Sequence, residues 1–401
     1  MAIIDEKTTH SAVGDVTPKC FADVLKHYGV SEKYGFLLEN PLHRLPDKFH
    51  PWHAVCDDIA NLIKQHELSD RVHSLPLLST SDLSSLEELH LAHVLLTTLT
   101  AGYLWQSGAE NAPDILPKAI AVPYYEVSQR LGLQPVFCHA SGCLANWKLI
   151  DESKPFQSDN LDLISFNLLG TRGNAWFFTN SCQIEYDMAP SIIQIARVCY
   201  EATNQKFDPD SIEAMLAAIA RSLYDAAATH GHMKDHLTPA EYFHELRKYF
   251  AGYNLGKFAE TGMIFEGLEH LGPFRCNRGT TAQSSSFQVV DSALGIIHDG
   301  AEKAYFDNAY KYMPERHRRF VDWVRQHVPV AKIQQSPGYH KAIEAFRKYR
   351  SDHINMVALF ALTQTKGNDN SYGGTGGASF MTFLKNVREN VVKAPRVAED
   401  E

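Results

Sequence analysis

Arg350 and His353 stand one helical turn apart in a stretch, Ser336 to Thr365, that no glycine or proline interrupts after Gly338. Tyr339, Ile343, Phe346, Val357 and Phe360 recur with them at steps of three or four, which predicts a helix carrying all seven on one face. Ser336 reads as its N-cap and Pro337 as its first helical residue. An imidazole on an otherwise apolar stripe has two readings. It is a core histidine bonded to a neighbour, or an axial ligand of a haem iron with the arginine one turn earlier reaching a propionate.

Other residues could also do chemistry. Thr238-Pro239-Ala240-Glu241 reads as a capping box opening a helix that buries Tyr242, Phe243, Leu246, Tyr249 and Phe250. Arg247 falls on the same side as Phe243 and Phe250, as a rim residue or as a clamp for a carboxylate. His90 and His93, close to Glu88, lack an obvious further metal ligand, and His230, His232, Asp235 and His236 follow no zinc spacing and read as a solvated helix connection. Asn277 to Ser285 is small and polar just before a helix, which suits an N-terminus open to a ligand. Gly373-Gly374-Thr375-Gly376-Gly377 lacks the following Gly-Lys-Ser/Thr of a phosphate loop, leaving a surface loop or a lid with glycine hinges. There is no paired-carboxylate or Ser/His/Asp signature.

The elements that must position these residues follow from composition and pattern. A chain of 401 residues with 44% apolar and 21% charged residues can bury a large core. Its 38 basic and 47 acidic residues argue against a general nucleic-acid binder. No apolar run approaches the roughly 20 residues of a membrane span. The Met1–Lys7 segment lacks a basic stretch leading into an apolar one, and seven singly scattered cysteines suit a reducing compartment, so a cytoplasmic location is expected. Residues 1–35 read as a loose arm with one short helix at Phe21–Tyr28. Helices are expected around Trp52–Leu62, from Thr80-Ser81-Asp82 through Leu104, and over Tyr124–Leu131. Ala119–Pro123, Leu133–Cys138, Asp162–Phe166 and Trp176–Phe178 read as short extended pieces. After Ser181 the chain reads as almost wholly helical, with elements opened at Asp208-Pro209, at about 283–298, at 301–311 and at Pro314. The fold class expected is mainly α: a small mixed α/β domain, 1–168, and a large all-helical domain, 169–401, with a mobile glycine-rich lid near 366–378.

Taken together, these pieces resemble the indoleamine 2,3-dioxygenase family. The resemblance runs from Asn40-Pro41 and Leu45-Pro46-Asp47, through Leu116-Pro117, Ile120–Tyr124 and Leu144-Ala145-Asn146-Trp147, to Phe177-Phe178 with Ser181. It continues through Tyr249 with Gly252, Gln283-Ser284-Ser285, Tyr312-Met313-Pro314, Arg350 with His353, Gly374–Gly377 and Phe383-Leu384-Lys385. The resemblance implies a cytosolic enzyme holding haem b (iron protoporphyrin IX), with the small domain capping the helical one. It implies cleavage of the indole C2–C3 bond of L-tryptophan by O2 to N-formylkynurenine, with a one-electron reductant keeping the iron ferrous. It implies no nucleic-acid or membrane partner, and a monomer is expected. His353 matches the proximal iron ligand, Arg350 the propionate partner and Asp291 the acid orienting that arginine. Thr281 matches the loop over the haem edge, with Gly279 and Thr280, where the family usually carries Gly-Ser-Ala. Phe177, Tyr242 and Phe250 match the aromatic substrate pocket, Arg247 the carboxylate clamp, Ser181 a distal residue and Thr375 the lid threonine. The sequence departs from mammalian members at His139, where they carry tyrosine, at Gly142 and Cys143, where they carry cysteine and valine, and at Tyr242, usually phenylalanine. A distal imidazole at His139 could bond the indole N–H, titrating near pH ~6.5, or merely pack. A related haem enzyme acting on another indole, or a haem-binding sensor on the same fold, are the alternative functions.

Overall fold

The computed structural model describes residues 20–206, 208–364 and 378–393, and over them the chain is mainly α-helical. The N-terminal stretch forms α1 (Phe21–Tyr28), closed by Gly29 at φ 67°, a left-handed conformation that favours glycine. The next long helix, α2 (Leu86–Trp105), starts later than Thr80–Asp82 suggests. Ser85 accepts from the Glu88 N–H at 3.1 Å and the Glu88 carboxylate accepts from the Ser85 N–H at 3.0 Å, so both orphan donors are satisfied there. This helix is apolar on most sides and is correspondingly buried almost all round.

The expected extended segments are largely helical or irregular. Ala119–Pro123 belongs to α3 (Lys118–Leu131), with Pro123 inside it. Packing of Ile120, Ala121, Tyr124 and Val127 in the core beside α2 outweighs the hydrogen bond that proline removes. Trp176–Phe178 lies within α4 (Arg172–Thr203), because adjacent aromatic residues serve two neighbouring positions of a buried helix as well as they serve a strand. Among the described residues, sheet is confined to two two-stranded ladders formed by β1 (Ile115–Leu116), β2 (Lys148–Leu149), β3 (Leu161–Asp162) and β4 (Ile264–Phe265). Strand β1 pairs in parallel with β4, Ile115 in register with Ile264. Strand β2 runs antiparallel to β3, Lys148 in register with Asp162. Leu133–Cys138 joins neither ladder.

The second half is built on α4 and its partner α5 (Pro209–Gly231), which Asp208 caps by accepting from the Asp210 N–H at 3.0 Å. Helix α6 (Ser285–Ala293) packs on α4. It is followed by α7 (Gly300–Tyr310) and by α8 (Glu315–His327), which also packs on α4 and α6. The stripe helix is α9 (Tyr339–Phe360), laid against α5, with α10 (Ala378–Val392) alongside it. Its cap differs from expectation. Ser336 Oγ donates back to the Lys332 carbonyl, and the Gly338 N–H is satisfied by the Glu213 carboxylate of α5 at 3.1 Å, so a neighbouring helix closes this terminus. One apolar core cluster takes in residues from Leu25 to Val391. Among the described residues no helix is long and apolar enough to cross a membrane.

Candidate active site

A cavity of about 240 Å³ opens where α4, α9, the turn after His139 and the loop before α6 converge. Helix α4 sends Phe177, Ser181 and Glu185 into it, each four residues after the last and therefore on one face. Ser181 Oγ donates to the Phe177 carbonyl at 2.8 Å, within its own helix. Thr238-Pro239-Ala240-Glu241 makes half of the expected box. Thr238 Oγ1 accepts from the Glu241 N–H at 3.1 Å, but the Glu241 carboxylate accepts from Thr171 Oγ1 of the α4 cap at 2.5 Å. The chain then makes a widened turn, Glu241–Leu246, and a tight one, Arg247–Phe250, in place of a regular helix. That geometry brings Tyr242 and Phe250 together against α4. The Phe177 ring lies 5.4 Å from Tyr242 and 5.3 Å from Phe250, the latter pair stacked at 24°. Phe250 in turn stacks on Phe137 at 4.9 Å and 18°. The result is a flat aromatic wall suited to a planar ligand.

Helix α9 contributes Arg350, His353, Val357 and Phe360 to the same cavity. Arg350 Nη2 donates to both Asp291 oxygens, at 2.7 and 2.9 Å, and His298 Nε2 lies 3.2 Å from the same carboxylate. Burial opposes the Asp291 charge, but Arg350 and His298 outweigh it and hold the carboxyl below its usual range. Arg350 Nε is buried without a hydrogen-bond partner among the described residues. His353 is held neutral. Burial, then the neighbouring His230 and Arg350, push its pKa down to about 3. Its ring is 5.6 Å from that of His230, whose buried Nδ1 also lacks a hydrogen-bond partner among the described residues.

The far side is arranged differently. His139 begins the turn Ala140–Leu144, and its backbone N–H donates to Gln283 Oε1 at 3.0 Å. Its Nε2 lies 2.8 Å from Glu185 Oε1, and Glu185 also accepts from Ser284 Oγ at 2.5 Å and Ser286 Oγ at 2.6 Å. Burial disfavours the imidazolium, but Cys143 and the Glu185 carboxylate prevail and raise His139 to about 10. The expected titration near neutrality is therefore displaced, because the partner is a buried carboxylate that stays ionised. Gly142 is packed too closely for a side chain: a Cβ there would meet Phe137 at 2.9 Å and Phe178 at 3.1 Å.

The loop Gly279, Thr280 and Thr281 lines the cavity, with Thr280 Oγ1 3.1 Å from the Tyr305 hydroxyl. Arg247 is buried with its guanidinium 4.7 Å from the Phe243 ring centre, and it is not among the described residues lining the cavity, whereas Arg278 is. Thr375 and the glycine-rich segment lie outside the described residues. Of the histidines read as a solvated connection, His232 pairs with Asp235 at 2.7 Å near the surface, whereas His230 ends α5 buried and on the cavity wall. His90 and His93 are buried in α2, and burial drives both well below the ordinary histidine value. Sequence reasoning missed Glu185, took Arg278 only as part of the Asn277–Ser285 stretch open to a ligand, and read His230 as part of a solvated connection. Glu185 carried a signal, since it continues the Phe177 and Ser181 spacing.

A model of the family described as indoleamine 2,3-dioxygenase matches residues 24–394. The chain belongs to that family. It is 31% identical to rat indoleamine 2,3-dioxygenase 1 over 392 residues, covering 92% of this chain and 95% of that protein. Human indoleamine 2,3-dioxygenase 2 is also 31% identical, over 394 residues, with the same coverage. A protein named myoglobin from the abalone Haliotis madaka is 32% identical over 387 residues, covering 93% of this chain and 99% of the relative. The family resemblance drawn from the motifs is thus shown, and the family's relatives carry two differently named functions.

Proposed function

We propose that this chain is a haem dioxygenase that opens the indole C2–C3 bond of L-tryptophan with O2 to give N-formylkynurenine. Family membership supports the coarser part, a haem dioxygenase acting on an indole. The observation that carries the reading is one cavity holding a neutral histidine, an arginine and a flat aromatic wall. The residues fit a haem. A neutral imidazole is the form that ligates iron. Among the described residues Arg350 keeps one nitrogen, Nε, unpartnered and buried although Asp291 already occupies another, as expected of a group that still awaits an anion such as a propionate.

His353 would then hold the iron of haem b, Arg350 a propionate with Asp291 orienting it, and Thr281 the haem edge. The bound ferrous haem supplies the O2-binding position and the redox chemistry. The chain's own part is to bind, orient and dry the substrate. Phe177, Tyr242 and Phe250 back the indole as one aromatic wall and exclude water, while Gly279 and Thr280 shape the slot's rim. Ser181 faces the indole with a hydroxyl whose proton is already given to its own helix. Arg247 binds the substrate carboxylate and Thr375 its amino-acid end. The proposed division at 168 makes the small domain the source of Phe137, His139 and Cys143, capping a cavity whose other walls come from the helical domain. A one-electron reductant is the remaining partner.

The similarity to a protein named myoglobin favours a second reading, a haem-binding carrier or sensor on this fold, and the changed residues at Gly142, Cys143 and Tyr242 favour a third, oxidation of a different indole. A reduced-plus-CO spectrum followed by turnover of L-tryptophan and a panel of indoles decides between them. The expected outcome is a haem spectrum and formation of the formylated product from tryptophan. Haem uptake with no turnover of any indole selects the carrier, and turnover of another indole alone selects the third reading.

A further inference from the structure

Two imidazoles line this cavity from different elements, His353 on α9 and His139 at the turn beyond α3. Either ring nitrogen, if neutral and free, is a competent iron ligand, and a haem iron has two axial positions. A second imidazole on the iron would close the position a small gaseous ligand must enter. The surroundings separate the two rings. The His353 ring stands beside His230 and the cavity, whereas His139 Nε2 is committed to the Glu185 carboxylate at 2.8 Å. That carboxylate is itself 1% exposed and is fixed by Ser284 on the same oxygen, Oε1, and by Ser286 on Oε2. Gln283 holds the His139 backbone in register with the same loop. Swinging His139 into the cavity would leave Glu185 buried and ionised without its cationic partner, the arrangement a protein interior tolerates least.

Resting on the haem reading above, the geometry points to Glu185 as a positioning residue that, held by Ser284 and Ser286, keeps His139 off the iron and leaves the second axial position open. The carboxylate touches neither iron nor substrate and acts through the histidine. This role differs from simple packing, because it predicts a ligation change when the carboxylate is lost.

The test uses the haem-loaded protein without substrate: wild type, Glu185→Ala, Glu185→Gln, His139→Phe and the Glu185→Ala/His139→Phe double variant. Ferric spectra and electron paramagnetic resonance report axial ligation, and CO association with the ferrous forms reports access. Glu185→Ala should acquire a low-spin bis-imidazole signal that wild type lacks, and should bind CO about tenfold more slowly as the open fraction falls. The double variant should lose that signal and recover the CO rate. Glu185→Gln preserves shape and should show part of the signal, which keeps the test informative if the alanine variant does not fold. If neither Glu185 variant shows new ligation, or if the signal survives in the double variant, the proposal is overturned. A wild type already ligated by His139 also overturns it while leaving the haem reading intact, whereas a wild type that takes up no haem brings down both.

Discussion

The two sides of the cavity differ in how completely their polar groups are satisfied. On the α9 side, Arg350 Nε and His230 Nδ1 are buried with no hydrogen-bond partner among the described residues, beside a neutral His353. On the His139 side, one carboxylate takes three donors, from His139, Ser284 and Ser286. Leaving a buried donor or acceptor unmade costs on the order of 1–3 kcal/mol, so two such nitrogens facing the cavity beside His353 suit a place where a ligand is expected. The closed network marks the opposite, a part of the cavity whose polar groups already serve each other. Two histidines alike in type, both facing the cavity, are thus distinguished by partner and charge.

The sharpest way to break this comparison is His353→Ala. It should abolish haem retention while far-ultraviolet circular dichroism shows the helix content preserved, because α9 is held by its other apolar residues. Purification with full haem would move the iron to the other wall.

Asp291→Ala tests whether the open wall depends on the carboxylate that Arg350 and His298 share. Removing one partner of a buried ion pair usually costs about 3–5 kcal/mol, and thermal or denaturant unfolding should show a loss of that order. The Asp291 pKa is depressed in the folded state, so its contribution is present above the unfolded value of about 3.9 and is lost as pH falls through the folded value. The variant should therefore approach wild type in strong acid.

The closed wall has the opposite pH signature. His139 is raised to about 10, so its stabilisation is full below the unfolded value of about 6.5 and is lost as pH rises toward 10. Wild-type stability should fall across about pH 7.5 to 9.5 with a slope of up to about 1.4 kcal/mol per unit more than in the His139→Phe/Glu185→Gln double variant. Equal slopes would mean that the pair is not charged.

Arg247→Lys should lower kcat/KM for tryptophan roughly 30- to 1000-fold, the equivalent of about 2–4 kcal/mol, since an ammonium does not reproduce a planar fork. Arg278 already lines the cavity, so Arg278→Met is the natural companion. If that variant loses discrimination between tryptophan and tryptamine while Arg247→Lys keeps it, the carboxylate sits on Arg278. The smallest effect is expected from Gly142→Cys, which restores the mammalian residue into space filled by Phe137 and Phe178. Overpacking of this kind costs about 1–3 kcal/mol, and unfolding curves should show it without loss of haem binding.

Much of this molecule is legible in its residues. The stripe from Tyr339 to Phe360 and the starts of α5 and α8 rest on local spacing, and each appears where the spacing puts it. The departures are also local in origin. Ala119–Pro123 and Trp176–Phe178 are too short for periodicity to tell a strand from a buried helix. Ser336 has the chemistry of a cap, but Glu213, 125 residues before Gly338, satisfies that terminus.

By itself the sequence determined the starts of α5 and α8, the face of α9 that carries His353 and the family, because a repeat of 3.6 residues and a set of ordered motifs are properties of the chain. Only the tertiary structure decided that Glu185 meets a histidine 46 residues away and a serine 99 residues away, that His230 is on the cavity wall, and that Arg247 is not among its described residues. The reason is physical: a histidine's charge is set by what surrounds its ring, and here those surroundings come from distant parts of the chain brought together by folding.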